Sequence, residues 1–243
     1  MPATERPKKT ALLVAQRIVE DIHRRGNQIG DRLPPEKAML EDYDVGRGTL
    51  RESLRFLELQ GVITLKPGPS GGPIVQQPDS SALATSLSLL LQFQQAPFQT
   101  VIETRAALEP RMARLAAERM PEEDTAKLFE IIELEQQNLD DETGFLTQTR
   151  RFHNTVADGS GNLIFAALFT ALFDILDGAS VGVEYPARQR KLTVEIHTDI
   201  ATAISEHDLD RAEELMTTHM QALAAYTQKH YAKALAAPVM WKM

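Results

Sequence analysis

The sequence predicts a mainly α-helical chain of two domains: three helices with a small β-hairpin, then an all-helical bundle. Three observations carry this. The run Lys66-Pro67-Gly68-Pro69-Ser70-Gly71-Gly72-Pro73 cannot continue a helix and reads as a turn between two short strands. Three segments before it repeat apolar residues at helical spacing. After it no segment alternates with period two, so no second sheet is expected.

The first predicted helix covers about Thr10–Arg25, with Leu12, Ala15, Ile18, Val19 and Ile22 on its apolar face and Gly26 as its stop. The second runs from Pro35-Glu36 to about Tyr43, with Ala38, Met39 and the Leu40 side inward. The third covers about Arg47–Gln60, with Leu50, Leu54 and Leu57 inward and Gly61 ending it. Val62-Ile63-Thr64-Leu65 and Pro73-Ile74-Val75 form the hairpin. This order is that of a winged helix-turn-helix. Residues 1–76 are therefore read as one domain, 77–80 as a linker and 81–237 as the second domain. Seven helical segments are expected there, near 81–94, 98–119, 122–140, 142–158, 162–179, 187–206 and 208–236. Pro97, Pro121, Gly159-Ser160-Gly161 and Pro186 separate them, and Asn162 and Asp208 are placed to cap.

A chain of 243 residues can bury two cores. It holds no uninterrupted apolar run of membrane-spanning length, and its first residues lack a secretory signal's apolar core. Cysteine is absent, which excludes disulfides and thiolate chemistry and agrees with a cytoplasmic setting. The net charge of −8 alone argues against a nucleic-acid binder, but its distribution does not. Residues 1–76 hold 12 Lys+Arg against 10 Asp+Glu, and the remainder holds 14 against 24. A weakly basic head on an acidic body lets one end approach phosphates.

The third helix carries Arg47, Thr49, Arg51 and Arg55 off its apolar face. A recognition helix enters the major groove by its N-terminal residues, and arginine can hold guanine O6 and N7 together. Thr49 and first-turn backbone N–H groups can take phosphates. A solvated charged face would look the same on the helix alone. The surrounding residues add more. Ile29-Gly30-Asp31-Arg32-Leu33-Pro34-Pro35-Glu36-Lys37, then Asp44 through Glu58, then Gln60-Gly61-Val62-Ile63 resemble the winged-helix domain of the GntR family of bacterial regulators. The resemblance covers about residues 10–76. It implies a homodimer on a palindromic double-stranded operator, with DNA contacts from Arg47, Gly48, Thr49 and Arg51 and a backbone contact from Lys37, where the family usually has Arg. It places the wing glycines, here Gly71 and Gly72 after Pro69-Ser70, near the minor groove.

In the second domain His153 falls on the stripe Phe145, Thr149, Phe152, Val156. His197 falls with Thr193, Ile196, Ile200 and Ile204, and His219 with Leu215, Met216 and Leu223. Three inward histidines from three helices each bring two ring nitrogens that need partners. A shared divalent ion would satisfy one nitrogen of each. Arg105 lies on a largely apolar helix, where it suits either a ligand carboxylate or an internal ion pair.

Glu103-Thr104-Arg105-Ala106-Ala107-Leu108-Glu109-Pro110, Phe152-His153, Gly159-Ser160-Gly161-Asn162 and the later histidines resemble the ligand-sensing FCD domain of the FadR branch of GntR regulators. Effector contacts are expected at Arg105, at Thr149 and at Asn162, whose capping role already explains it. The resemblance implies zinc or nickel on His153, His197 and His219. The family's metal-binding members carry an Asp one turn before the first histidine; here Thr149 stands there. The ion is then completed by water or an effector carboxylate, or the pocket works without metal. A ligand-responsive repressor, taking a small carboxylate or lipid-derived effector, is the function expected. A metal-dependent hydrolase lacks a general base at metalloenzyme spacing and would leave the DNA domain unexplained. A DNA-binding protein with a dead pocket is the third reading.

Overall fold

The computed structural model describes residues 5–68, 71–178 and 184–241. It divides into two compact units, Met1–Ala82 and Leu83–Met243.

The first unit contains α1 (Glu5–Arg25), α2 (Glu36–Tyr43), α3 (Arg47–Leu59), β1 (Ile63–Lys66) and β2 (Gly72–Val75). The strands pair antiparallel from Ile63↔Val75 to Lys66↔Gly72. Helix α1 begins five residues before the expected start. Its opening residues, Glu5-Arg6-Pro7-Lys8-Lys9, hold no apolar side chain but a proline, so they carried no apolar periodicity to read. Val14, Ile18 and Ile22 of α1 pack with Met39 and Tyr43 of α2, Leu50, Leu54 and Leu57 of α3, and Ile63 and Val75 of the hairpin. Burying one such side chain is worth about 1.5–3 kcal/mol. Asp44 takes a left-handed conformation (φ 51°) and ends α2, so the chain can turn into α3 within three residues. Ser53, fully buried, sits 2.8 Å from the carbonyls of Ala11 and Thr49 and ties α3 to α1. Leu54→Ala is expected to lower stability by about 2–5 kcal/mol. Urea unfolding measures it, and a loss below about 1 kcal/mol would contradict the placement of Leu54 in this core.

The hairpin explains its own glycines. A Cβ on Gly71 would stand 2.1 Å from the Lys66 carbonyl oxygen, and Gly72 has φ +131°, which an L side chain rarely adopts. The turn requires both residues whether or not DNA is present. Pro69 and Ser70, also expected in the wing, lie outside the described residues.

The second unit is helical throughout its described length: α4 (Ser81–Phe93), α5 (Gln99–Arg119), α6 (Glu122–Gln137), α7 (Glu142–Gly159), α8 (Leu163–Gly178), α9 (Ala187–Ser205) and α10 (Leu209–Ala236). Helix α5 packs along α10, α6 against α7 and α9, and α7 against α8. The core joins Met112, Ala116, Leu128, Ile131, Phe145, Phe152, Phe169, Ile200 and Met216, among others. The unit extends past the expected end at 237. Phe98 N–H donates to Ala237 O and Val239 N–H to Ala96 O, and Val239 is fully buried beside Phe98, Val101, Leu172 and Ile175. The tail after α10 thus clamps the loop before α5.

No helix among the described residues is long and apolar enough to cross a membrane.

Candidate functional site

Helices α5, α7, α9 and α10 surround a cavity of about 270 Å³, near the lower end of the range for small-molecule sites. Its polar end holds Arg105 from α5, Thr149 and His153 from α7 and His219 from α10. His197 of α9 lies directly behind, fully buried. One ring nitrogen from each of His153, His197 and His219 lies within 4.8 Å of the others. His197 Nε2 and His219 Nε2 are 3.4 Å apart. The three expected imidazoles therefore meet, as a donor set that suits zinc or nickel.

Two carboxylates that the sequence reading passed over hold these rings. Glu109 of α5 is 2 % exposed, and its Oε2 lies 2.6 Å from His153 Nδ1. Its Oε1 accepts from Arg105 Nε at 2.6 Å. Burial pushes the Glu109 carboxyl up, but Arg105 and then His153 outweigh that and hold it at about 2. Burial is also the main cause that lowers His153, against the pull of Glu109. We take the pair as an anion facing a neutral ring. Glu135 of α6 is fully buried and holds His197 Nδ1 at 2.9 and 3.0 Å. The Glu135 contact puts the His197 proton on Nδ1 and turns its Nε2 toward His219, as outer carboxylates do behind metal-bound histidines, while Glu109 and His153 lie close without hydrogen-bond geometry. His219 is driven well below the ordinary histidine range by burial and by the two neighbouring histidines, so its ring is also neutral near pH 7.

Thr149 does not substitute for a carboxylate ligand. Its hydroxyl donates to Glu135 Oε1 at 2.9 Å, so it anchors the group that orients His197. Among the described residues Glu135 has hydrogen bonds only from Thr149 and His197, neither a fixed cation. A buried carboxylate without positive charge nearby is costly, and a divalent ion on the far side of the His197 ring would relieve it. The residues present fit such an ion.

Arg105 makes the internal ion pair that the sequence offered as one of its two readings. It is paired with Glu109, and its guanidinium lies 5.4 and 4.8 Å from the Phe169 and Phe173 ring centres while lining the cavity. Asn162 is not brought into the site. Its Oδ1 accepts from the N–H groups of Ile164 and Phe165 at the start of α8, and it does not line the cavity. Capping alone accounts for it. Both missed glutamates left a trace in the sequence. Glu135 continues the buried stripe Leu128, Ile131, Ile132 of α6, and Glu109 follows Arg105 by one turn on the buried face of α5. A charge on an apolar stripe is the signal.

In the first unit α3 starts at an extended Gly46 and presents Arg47, Gly48, Arg51 and Arg55 to solvent, with Thr49 half-buried and Leu50 fully buried beneath. Lys37, on the first turn of α2, is exposed. Arg51 Nε reaches Glu36 Oε2 at 3.4 Å, a surface pair weak enough to exchange for phosphate or a base edge.

Residues 10–70 match the family described as bacterial regulatory proteins, gntR family, and residues 100–222 match the FCD domain. Two curated relatives are HTH-type transcriptional repressors NanR. The one from Salmonella schwarzengrund is 29% identical over 225 residues, spanning 90% of this chain and 84% of its own. The one from Salmonella newport is also 29% identical, spanning 90% and 85%. A solved Streptococcus agalactiae GntR structure shares the fold, with TM-score 0.72 and 23% identity over 89% of this chain and 99% of that one. With an exposed recognition helix on one unit and a buried polar cavity in the other, the chain belongs to the GntR family of bacterial regulatory proteins, in its FCD-bearing form, and is a transcription regulator rather than an enzyme.

Proposed function

We propose that the protein is a cytoplasmic homodimeric repressor that binds a palindromic operator and releases or tightens on it when a small carboxylate enters the helical cavity. The effector is read at a divalent ion, zinc or nickel, held by His153, His197 and His219. The observation that carries this reading is the convergence of three imidazoles on one point, two of them backed by a buried carboxylate. Thr149 leaves the position of a protein carboxylate open, and Arg105 lines the same cavity with a fixed positive charge. When bound, the ion supplies a Lewis-acidic coordination position for a carboxylate oxygen. The repressor assignment follows the naming of the Salmonella relatives. Two half-sites must be met at fixed spacing, so a ligand that favours one placement of the winged units changes operator affinity by its differential binding to the two states.

Selection from random duplex DNA with untagged protein tests this function. An inverted repeat is expected, bound roughly 10³–10⁷-fold more tightly than unrelated duplex at physiological salt, with affinity falling steeply as salt rises. No enriched sequence, at salt low enough for tight binding, would sink the proposal.

A further inference from the structure

Helix α4 alone among the described helices holds no charged residue, in a chain where 25% of residues are charged. The uncharged run extends from Ser80 to Ile102. Two largely apolar stripes run along α4, each at the i, i+3, i+4, i+7 spacing of a helix face. Ala84, Leu87, Ser88 and Leu91 form the first. Ala84 and Ser88 are buried, and Leu87 and Leu91 pack against the cluster of Phe98, Val101, Leu172, Ile175 and Val239. Ser86, Leu89, Leu90 and Phe93 form the second, on the opposite side of the helix. The second unit leaves this stripe uncovered: Leu90 is 56% and Phe93 84% exposed. The C-terminal tail extends the patch, since Trp241 N–H donates to Gln92 Oε1 at 2.7 Å and the exposed Met240 precedes it. A helix apolar on both sides belongs between two layers, and its own bundle supplies one of them.

We infer that the other layer is α4 of a second copy of this chain, so that Ser86, Leu89, Leu90 and Phe93 form the centre of the homodimer interface. This rests on the homodimer reading and names the face that reading leaves open. Charge selects the occupant. From residue 77 onward the chain holds 24 Asp+Glu against 14 Lys+Arg, so two copies repel over most of that surface and can approach on a face without charge. A two-fold interface sets residues near its axis against their own copies. A charged side chain there would meet its like. Ser86 on the stripe, and Gln94 and Gln95 just after the helix, are exposed and each carry both donor and acceptor, so they can pair with themselves. Nucleic acid or an anionic lipid surface would call for Lys or Arg, which α4 lacks. Charge depletion around exposed aromatic and aliphatic side chains is the composition of an interface centre.

Sedimentation velocity of the untagged full-length protein, wild type beside Leu90→Asp/Phe93→Asp, is the test. Both side chains are exposed, so the variant should keep the wild-type helical signal in circular dichroism. Its dimer dissociation constant is expected to rise at least about 100-fold, because central apolar contacts are lost and like charges are set face to face. Cross-linking supplies a reading that needs no disruptive change. The chain has no cysteine, so Ser86→Cys, Leu90→Cys and Phe93→Cys each place one thiol on a copy. With a short bis-maleimide at micromolar protein, at least one of them should become mostly covalent dimer, while Glu130→Cys, exposed on the charged helix α6, should stay as single chains. If the aspartate variant loses its helical signal, cross-linking decides alone. An aspartate variant that dimerises as tightly as the wild type, or cross-linking no better on α4 than at Glu130, would overturn the inference and leave the homodimer intact. A wild type that sediments as a single chain at micromolar concentration would overturn both.

Discussion

The His153→Ala/His219→Ala double variant is expected to bind zinc at least about 100-fold more weakly than the wild type. Two of three nitrogen donors are removed, and even loss of an outer partner of a ligating histidine costs about 10–100-fold. Competition against a chromophoric chelator reads this directly. The fold should survive, because Glu109 keeps Arg105 as its partner at 2.6 Å when His153 is gone. Glu135→Gln makes the complementary point. It keeps the size of the side chain and can still meet Thr149 and His197, but it removes the negative charge behind the ring. A fall of about 10–100-fold in zinc affinity is expected, with little change in the melting temperature of the metal-free protein. Wild-type affinity in both variants would mean that the histidine cluster is only a packed polar core.

Operator binding by Arg47→Ala/Arg51→Ala is expected to fall by roughly 2–6 kcal/mol, about 1–3 kcal/mol for each base-reading arginine lost. Both side chains stand in solvent at the start of α3, above a face anchored by Leu50, Leu54 and Leu57, so the change leaves the core untouched. Lys37→Ala should differ in kind. A phosphate contact carries no sequence information, so affinity should drop alike for operator and unrelated duplex, and the salt slope should shrink by about one. Fluorescence anisotropy on both duplexes separates the two cases. An unchanged operator affinity in the arginine double variant would remove α3 as the reading element.

The helices were legible because their apolar residues repeat at helical spacing and their ends carry Pro, Gly, Asn or Asp. Where that pattern was silent the boundary slipped, as in the opening turn of α1, where Glu5-Arg6-Pro7-Lys8-Lys9 offers no apolar repeat. The buried tail through Val239 was missed for a related reason. Its pairing with Ala96 and Phe98 is a contact across more than a hundred residues, which periodicity does not report. The three histidines were legible as inward residues on separate helices. That they meet, and that Glu109 and Glu135 stand behind two of them, depends on how α5, α6, α7, α9 and α10 pack. Asn162 was legible as a cap, and the structure shows that cap at the start of α8.

The most direct test is the metal content of wild-type protein expressed without a histidine tag, measured by elemental mass spectrometry beside the His153→Ala/His219→Ala variant. About one zinc or nickel ion per chain is expected in the wild type, matching the three-histidine cluster, and none in the variant. Wild-type protein that remains free of metal after equilibration with zinc at neutral pH would contradict it.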